Sequence, residues 1–137
     1  MQSFPEKFIN VLPSISTLCI NQNRLTSLPK NLGHASLVEL SLARNLLSSE
    51  VVKSALFCYG IDGGANQSHA IFKTLQVLDL STNRINEFPS FASFSSLRTL
   101  TLSGNRINSI QNWTSFPRSL EGKSKHFFFV HSITTHP

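Results

Sequence analysis

The chain has 137 residues and a formal charge of +5, enough for one domain with its own core. An apolar fraction of 40% against 14% charged residues excludes wholesale disorder, which needs the opposite balance. No apolar run approaches the roughly 18 residues of a membrane span, and Met1-Gln2-Ser3-Phe4-Pro5 lacks the basic and apolar regions of a secretory signal.

Residues 1–14 read as a partial coil, because Phe4-Pro5 looks like the return segment that Phe88-Pro89 forms later. Four segments then follow one pattern. They are Ile15-Ser-Thr-Leu18-Cys-Ile20-Asn-Gln-Asn23-Arg-Leu25 and Leu37-Val-Glu-Leu40-Ser-Leu42-Ala-Arg-Asn45-Leu-Leu47. The other two are Leu75-Gln-Val-Leu78-Asp-Leu80-Ser-Thr-Asn83-Arg-Ile85 and Leu97-Arg-Thr-Leu100-Thr-Leu102-Ser-Gly-Asn105-Arg-Ile107. Period-two alternation around Leu18, Leu40, Leu78 and Leu100 makes short strands with one buried face. The predicted strands are Thr17 to Ile20, Glu39 to Leu42, Val77 to Leu80 and Thr99 to Leu102. A lone strand cannot bury that face, but strands stacked at about 4.8 Å share a core and form one parallel sheet.

Asn23, Asn45, Asn83 and Asn105 follow the strands. An amide supplies two donors and an acceptor, so stacked asparagines can satisfy backbone groups of neighbouring coils. A leucine there would orphan buried polar groups at about 1–3 kcal/mol each. The return segments are also periodic: Leu28, Phe88 and Ile110 share the fifth position after the asparagine. Phe94 and Phe116 share the eleventh, and Phe91 and Trp113 the eighth, an aromatic stripe of the kind that packs cores. The short period calls for extended or 3₁₀ return segments in place of full helices.

Asn23 to Asn45 and Asn83 to Asn105 are each 22 residues apart, but Asn45 to Asn83 is 38. An insertion of 16 residues, at about 56–71, accounts for the difference. The segment Ser48 to Phe57 leads into it and can start a short helix with a serine cap. Residues 15–120 thus form the repeat region, and 121–137 a non-repeat tail. Leu120 and Glu121 open what should be a fifth strand, but Lys123 and Lys125 fall where leucines belong and Phe128 where asparagine belongs. Disorder after Gly122 and self-association through uncapped ends are the expectations.

The four segments resemble the leucine-rich repeat, L-x-x-L-x-L-x-x-N-x-L, in its short 22-residue intracellular form. The resemblance implies a leucine-rich-repeat solenoid of the α/β class, a curved parallel sheet on its concave face and irregular or 3₁₀ return segments behind. It implies a non-enzymatic scaffold or adaptor that binds a partner protein through that face. Four columns line it: Thr17, Glu39, Val77, Thr99; Cys19, Ser41, Asp79, Thr101; Asn21, Ala43, Ser81, Ser103; and Gln22, Arg44, Thr82, with Gly104. A truncated or alternatively spliced product is one expectation. The alternative is a fragment of a larger leucine-rich-repeat receptor or signalling protein.

Other chemistry finds little support in the residues. His126 and His131 have no zinc-ligand spacing, and the remaining histidines are scattered. Cys19 and Cys58 cannot make a disulfide scaffold, which fits a reducing, cytoplasmic location. No catalytic residue, metal or cofactor is expected. Arg24, Arg84 and Arg106 recur after the asparagine, and their ordinary reading is a solvated edge. Nucleic-acid binding would need a denser basic stripe with exposed aromatics. The acceptor patterns Asn66-Gln67-Ser68 and Asn112-Trp113-Thr114 would matter only to a secreted chain.

Overall fold

The computed structural model describes residues 3–4, 15–29, 32, 36–56, 73–87, 90–91, 94–108 and 126–128, the last three by backbone alone. Five strands lie in one sheet: β1 (Thr17–Cys19), β2 (Glu39–Ser41), β3 (Val77–Asp79), β4 (Thr99–Thr101) and β5 (His126–Phe128). They are ordered as in the sequence and every pair is parallel. One helix, α1 (Ser49–Leu56), follows β2. A parallel sheet in chain order, with a single helix among the described residues, fits a leucine-rich-repeat solenoid.

Register follows the sequence pattern. Leu18, Leu40, Leu78 and Leu100 are successive partners, as are Cys19, Ser41, Asp79 and Thr101. Each strand ends one residue earlier than the alternation predicts. The next residue still pairs: Ile20 N–H donates to Ser41 O at 2.9 Å, Leu42 N–H to Asp79 O at 2.8 Å and Leu80 N–H to Thr101 O at 2.9 Å. Pairing then runs on into the turn, where Gln22, Arg44 and Thr82 donate to Ala43, Ser81 and Ser103.

The core lies behind the sheet. Leu40, Leu42, Leu78, Leu80 and Leu100 are buried, joined by Leu25, Leu47, Leu75, Leu97, Ile85 and Ile107 from the conserved spacing of the repeat. Leu18 and Ile20 of the first coil are only half-buried. Among the return segments Leu28 and Leu32 are buried, and Phe91 meets Phe94 edge-to-face at 5.4 Å between centroids. Bonds of the i to i+3 kind, Leu32 N–H to Pro29 O and Phe94 N–H to Phe91 O, tighten these segments as the short period requires. Trp113, Phe88, Ile110 and Phe116 lie outside the described residues.

The helix starts where serine allows it. Ser48 Oγ accepts from Val51 N–H at 3.4 Å, and Ser48 O accepts from Val52 N–H at 3.1 Å. Val52, Ala55 and Leu56 face the core. Ser49 is buried and joins α1 to the third coil: its Oγ donates to Asn86 Oδ1 at 2.7 Å and accepts from Asn86 and Glu87 N–H at 3.0 Å. The rest of the insertion lies outside the described residues.

The tail departs from the repeat arithmetic. His126, Phe127 and Phe128 pair with Thr99, Leu100 and Thr101. Phe127 therefore takes the register position expected for Lys123, and the step from Leu100 is 27 residues, against 22 from Leu18 to Leu40 and from Leu78 to Leu100. Parallel pairing fixes only where a strand lands, and the connection before it can lengthen freely. Residues 121–125 and 129–137 lie outside the described set, as do 5–14.

One residue per coil adopts a left-handed backbone: Gln22 at φ 58°, Arg44 at 56°, Thr82 at 53° and Gly104 at 69°. Each directly precedes the asparagine, where the strand must turn sharply. Only the last is glycine, and a Cβ on it would lie 2.9 Å from Thr82 Oγ1 and 3.3 Å from Thr82 Cα. Gly104→Ala should therefore lower stability by about 1–2 kcal/mol through left-handed strain alone, with the contact adding to it. Urea unfolding followed by circular dichroism checks this. Thr82→Gly should shift the midpoint the other way, because the β-branched side chain is unfavourable there.

Candidate interaction surface

The asparagines form the scaffold of the site. Asn83 Nδ2 donates to Leu42 O at 3.0 Å in the coil before it, and to Leu80 O at 3.1 Å and Ser81 O at 3.2 Å in its own. Its Oδ1 accepts from Leu47 N–H at 3.0 Å. Asn45 repeats the arrangement with Ile20, Leu42 and Ala43 carbonyls and Leu25 N–H. Asn105 repeats it with Leu80 and Leu102 carbonyls and Ile85 N–H. Asn23 donates within its own coil, to Asn21 O at 3.1 Å and, more weakly, to Ile20 O. At the far end Ile107 is the next residue in the series and is buried, with 5% exposed.

This frame sets the opposite face of the sheet. Thr17, Cys19, Gln22, Glu39, Arg44 and Thr82 are exposed. Asn21, Val77, Asp79, Ser81, Thr99, Thr101 and Ser103 are half-buried. Ser41 and Ala43 are buried, each with 8% exposed, so the reachable face is narrower than the four columns imply. The cause is Asn21, whose Oδ1 accepts from both Ser41 Oγ and Ala43 N–H at 2.8 Å. The side chain thereby covers the middle of the second coil. Asp79 turns inward on its own strand end, accepting from Ser81 N–H at 2.9 Å.

The sequence offered a faint sign of Asn21's role. It is an amide where the other coils carry Ala43, Ser81 and Ser103, and only an amide is long enough to span to the next strand. The Ser49 cluster gave no sign, since its partners lie 37 and 38 residues away.

Charge is sparse and mostly solvated. Lys53 on α1 pairs with Glu87 of the third coil and with Glu50 one turn back. The hydrogen bond that Lys53 Nζ donates to Glu87 holds the Lys53 pKa above its ordinary value, against the opposing effect of burial. Cys19 is a free, exposed thiol. Among the described residues no three His, Cys, Asp or Glu side chains gather to hold a metal, and no helix is long and apolar enough to cross a membrane.

With that geometry in place, the comparison with known families is direct. Residues 73–115 match the family model described as Leucine Rich repeats (2 copies). Over those residues the chain is similar to leucine-rich repeats. The match covers the third and fourth coils, and the first two coils share their strand register and asparagine bonding. No curated protein matches the chain. Repeats of this family generally mediate protein–protein interaction, typically without catalysis of their own.

Two outcomes follow. Asn83→Leu removes the acceptor of buried Leu47 N–H and the donor to Leu42 O, at about 1–3 kcal/mol for each orphaned group. Its urea midpoint should fall well below that of a substitution at exposed Arg84. The Lys53 pair stabilises the fold while the lysine is charged. Because its folded pKa is raised, that contribution is full below the ordinary lysine range and is lost as pH climbs through the raised value. The pair is largely exposed, so Lys53→Met should cost well under about 1 kcal/mol at neutral pH, and the wild-type advantage should vanish at strongly alkaline pH.

Proposed function

We propose that the chain is a non-enzymatic interaction module that binds a partner protein through the open, concave face of its sheet. The observation that carries this reading is the character of that face. Thr17, Cys19, Glu39, Thr99 and Thr101 present short or singly charged side chains on a backbone held in register by the asparagines. A sparsely charged surface of short side chains lets a partner approach closely at low cost in side-chain entropy. The similarity of residues 73–115 to leucine-rich repeats points the same way. The binding role belongs to the exposed and half-buried members of the columns. Ser41 and Ala43 serve the frame through Asn21.

The test uses positions that the frame does not need. Thr17→Arg together with Thr99→Arg should remove partners captured by the full chain, as identified by cross-linking and mass spectrometry. The circular dichroism spectrum and urea midpoint should stay unchanged. Ser41→Arg, by contrast, should unfold the chain or lower its midpoint, because it breaks a buried hydrogen bond and overpacks the site. Retention of every partner by the Thr17/Thr99 variant would place the binding surface elsewhere.

A further inference from the structure

Three of the four described coils set an arginine at the same rim of the sheet. Arg24, Arg84 and Arg106 follow the asparagines of the first, third and fourth coils. In the second coil Leu46 holds that place, and Arg44 stands just before the asparagine instead. All four side chains are exposed. Their backbones are tied into the inter-coil ladder: Arg44 N–H donates to Ser81 O at 2.9 Å, Arg84 N–H to Leu47 O at 2.9 Å and Arg106 N–H to Ile85 O at 2.7 Å. With strands about 4.8 Å apart, the four span roughly 14 Å.

None of these arginines makes an ion pair with a described residue; the described pairs involve Lys53 alone. Arg84 and Arg106 sit on neighbouring coils, where like charges repel and the ladder prevents their backbones from separating. The carboxylates nearest in the sheet, Glu39 and Asp79, belong to the open face, and Asp79 is already bonded to Ser81 N–H. The rim thus carries Arg24, Arg84 and Arg106 at one repeat position, with Arg44 beside it in the open-face column, and none has an ion pair with a described residue.

We propose that this rim binds an extended acidic segment of a partner protein, laid across the strands along the stack. An extended chain covers about 3.3–3.6 Å per residue, so four or five residues reach from Arg24 to Arg106. Arginine forks hold carboxylates in bidentate pairs that a point charge does not form. A protein segment fits better than a nucleic acid. The aromatics whose side chains are described, Phe4, Phe91 and Phe94, are buried and offer no platform for bases. The inference rests on the interaction-module reading and adds the chemistry of the partner.

The experiment is fluorescence anisotropy of a labelled octaglutamate peptide with the full chain at low ionic strength. Wild type should bind, with affinity falling steeply as salt is added. Arg84→Glu with Arg106→Glu should weaken binding by about tenfold or more, while Arg84→Lys with Arg106→Lys should retain part of it. Lys73→Glu with Arg98→Glu makes the same change in net charge at the other end of the strands, and both residues are exposed. That variant should bind nearly as wild type. If the charge reversals unfold the chain, Arg84→Gln with Arg106→Gln gives the same comparison. Absent binding, equal losses in the two charge-reversed variants, or tighter binding of an oligothymidylate of equal charge would overturn the proposal. Partner capture that depends on Thr17 and Thr99 but ignores Arg84 and Arg106 would leave the module reading standing and remove only this one.

Discussion

A polar backbone group taken out of water must find a partner, and a strand only three residues long has few to offer. The stacked coils meet that demand with one amide each. Asn83 serves carbonyls from two coils and an N–H from one, so its four bonds cannot form unless the coils are already in register. The leucines supply the driving force by leaving water. They would tolerate many small slips, because dispersion and burial are not directional. The amide would not. The turn before it, with a left-handed residue in every coil, is what aims the asparagine back into the stack.

That division of labour explains how much of the molecule could be read from its residues. Strand positions and register were legible because leucine alternation and asparagine spacing report the same frame twice. The start of α1 was legible because a serine cap acts within four residues. What escaped depends on distance in the chain or on side-chain length. The burial of Ser41 and Ala43 comes from Asn21 in another coil. The clasp of Ser49 on Asn86 and Glu87 crosses an insertion whose length says nothing about where its ends dock. The fifth strand escaped for a related reason: a 22-residue count fails when a connection grows, while the pairing of Phe127 with Leu100 does not depend on that count.

The candidate surface was legible only as columns. Alternation decides which side of the sheet a residue takes; Thr17 and Glu39 are exposed and Asp79 is half-buried. Alternation cannot decide reach. Within one column Cys19 is exposed, Asp79 and Thr101 are half-buried and Ser41 is buried, because neighbours differ in length and in bonding. The usable face is therefore a set of patches divided by the Asn21 bridge. Thr99 and Thr101 lie two strands away from that bridge, and Thr17 and Cys19 lie beside it.

The steps between strand partners are 22, 38, 22 and 27 residues, yet the pairing is the same at every step. The sheet therefore keeps count only over the short stretch from leucine to asparagine. Behind it, chain length is a nearly free variable, since doubling a flexible loop costs about 0.6 kcal/mol. Two kinds of sequence drift should leave different marks on such a protein. Gains and losses of residues would accumulate in the return segments, whereas the eleven-residue strand-and-turn block would change by substitution alone. A single deletion between Leu40 and Asn45 would turn its leucines to the open face and pull its amide out of line. The same feature makes the second return segment a natural port for carrying foreign sequence on this scaffold.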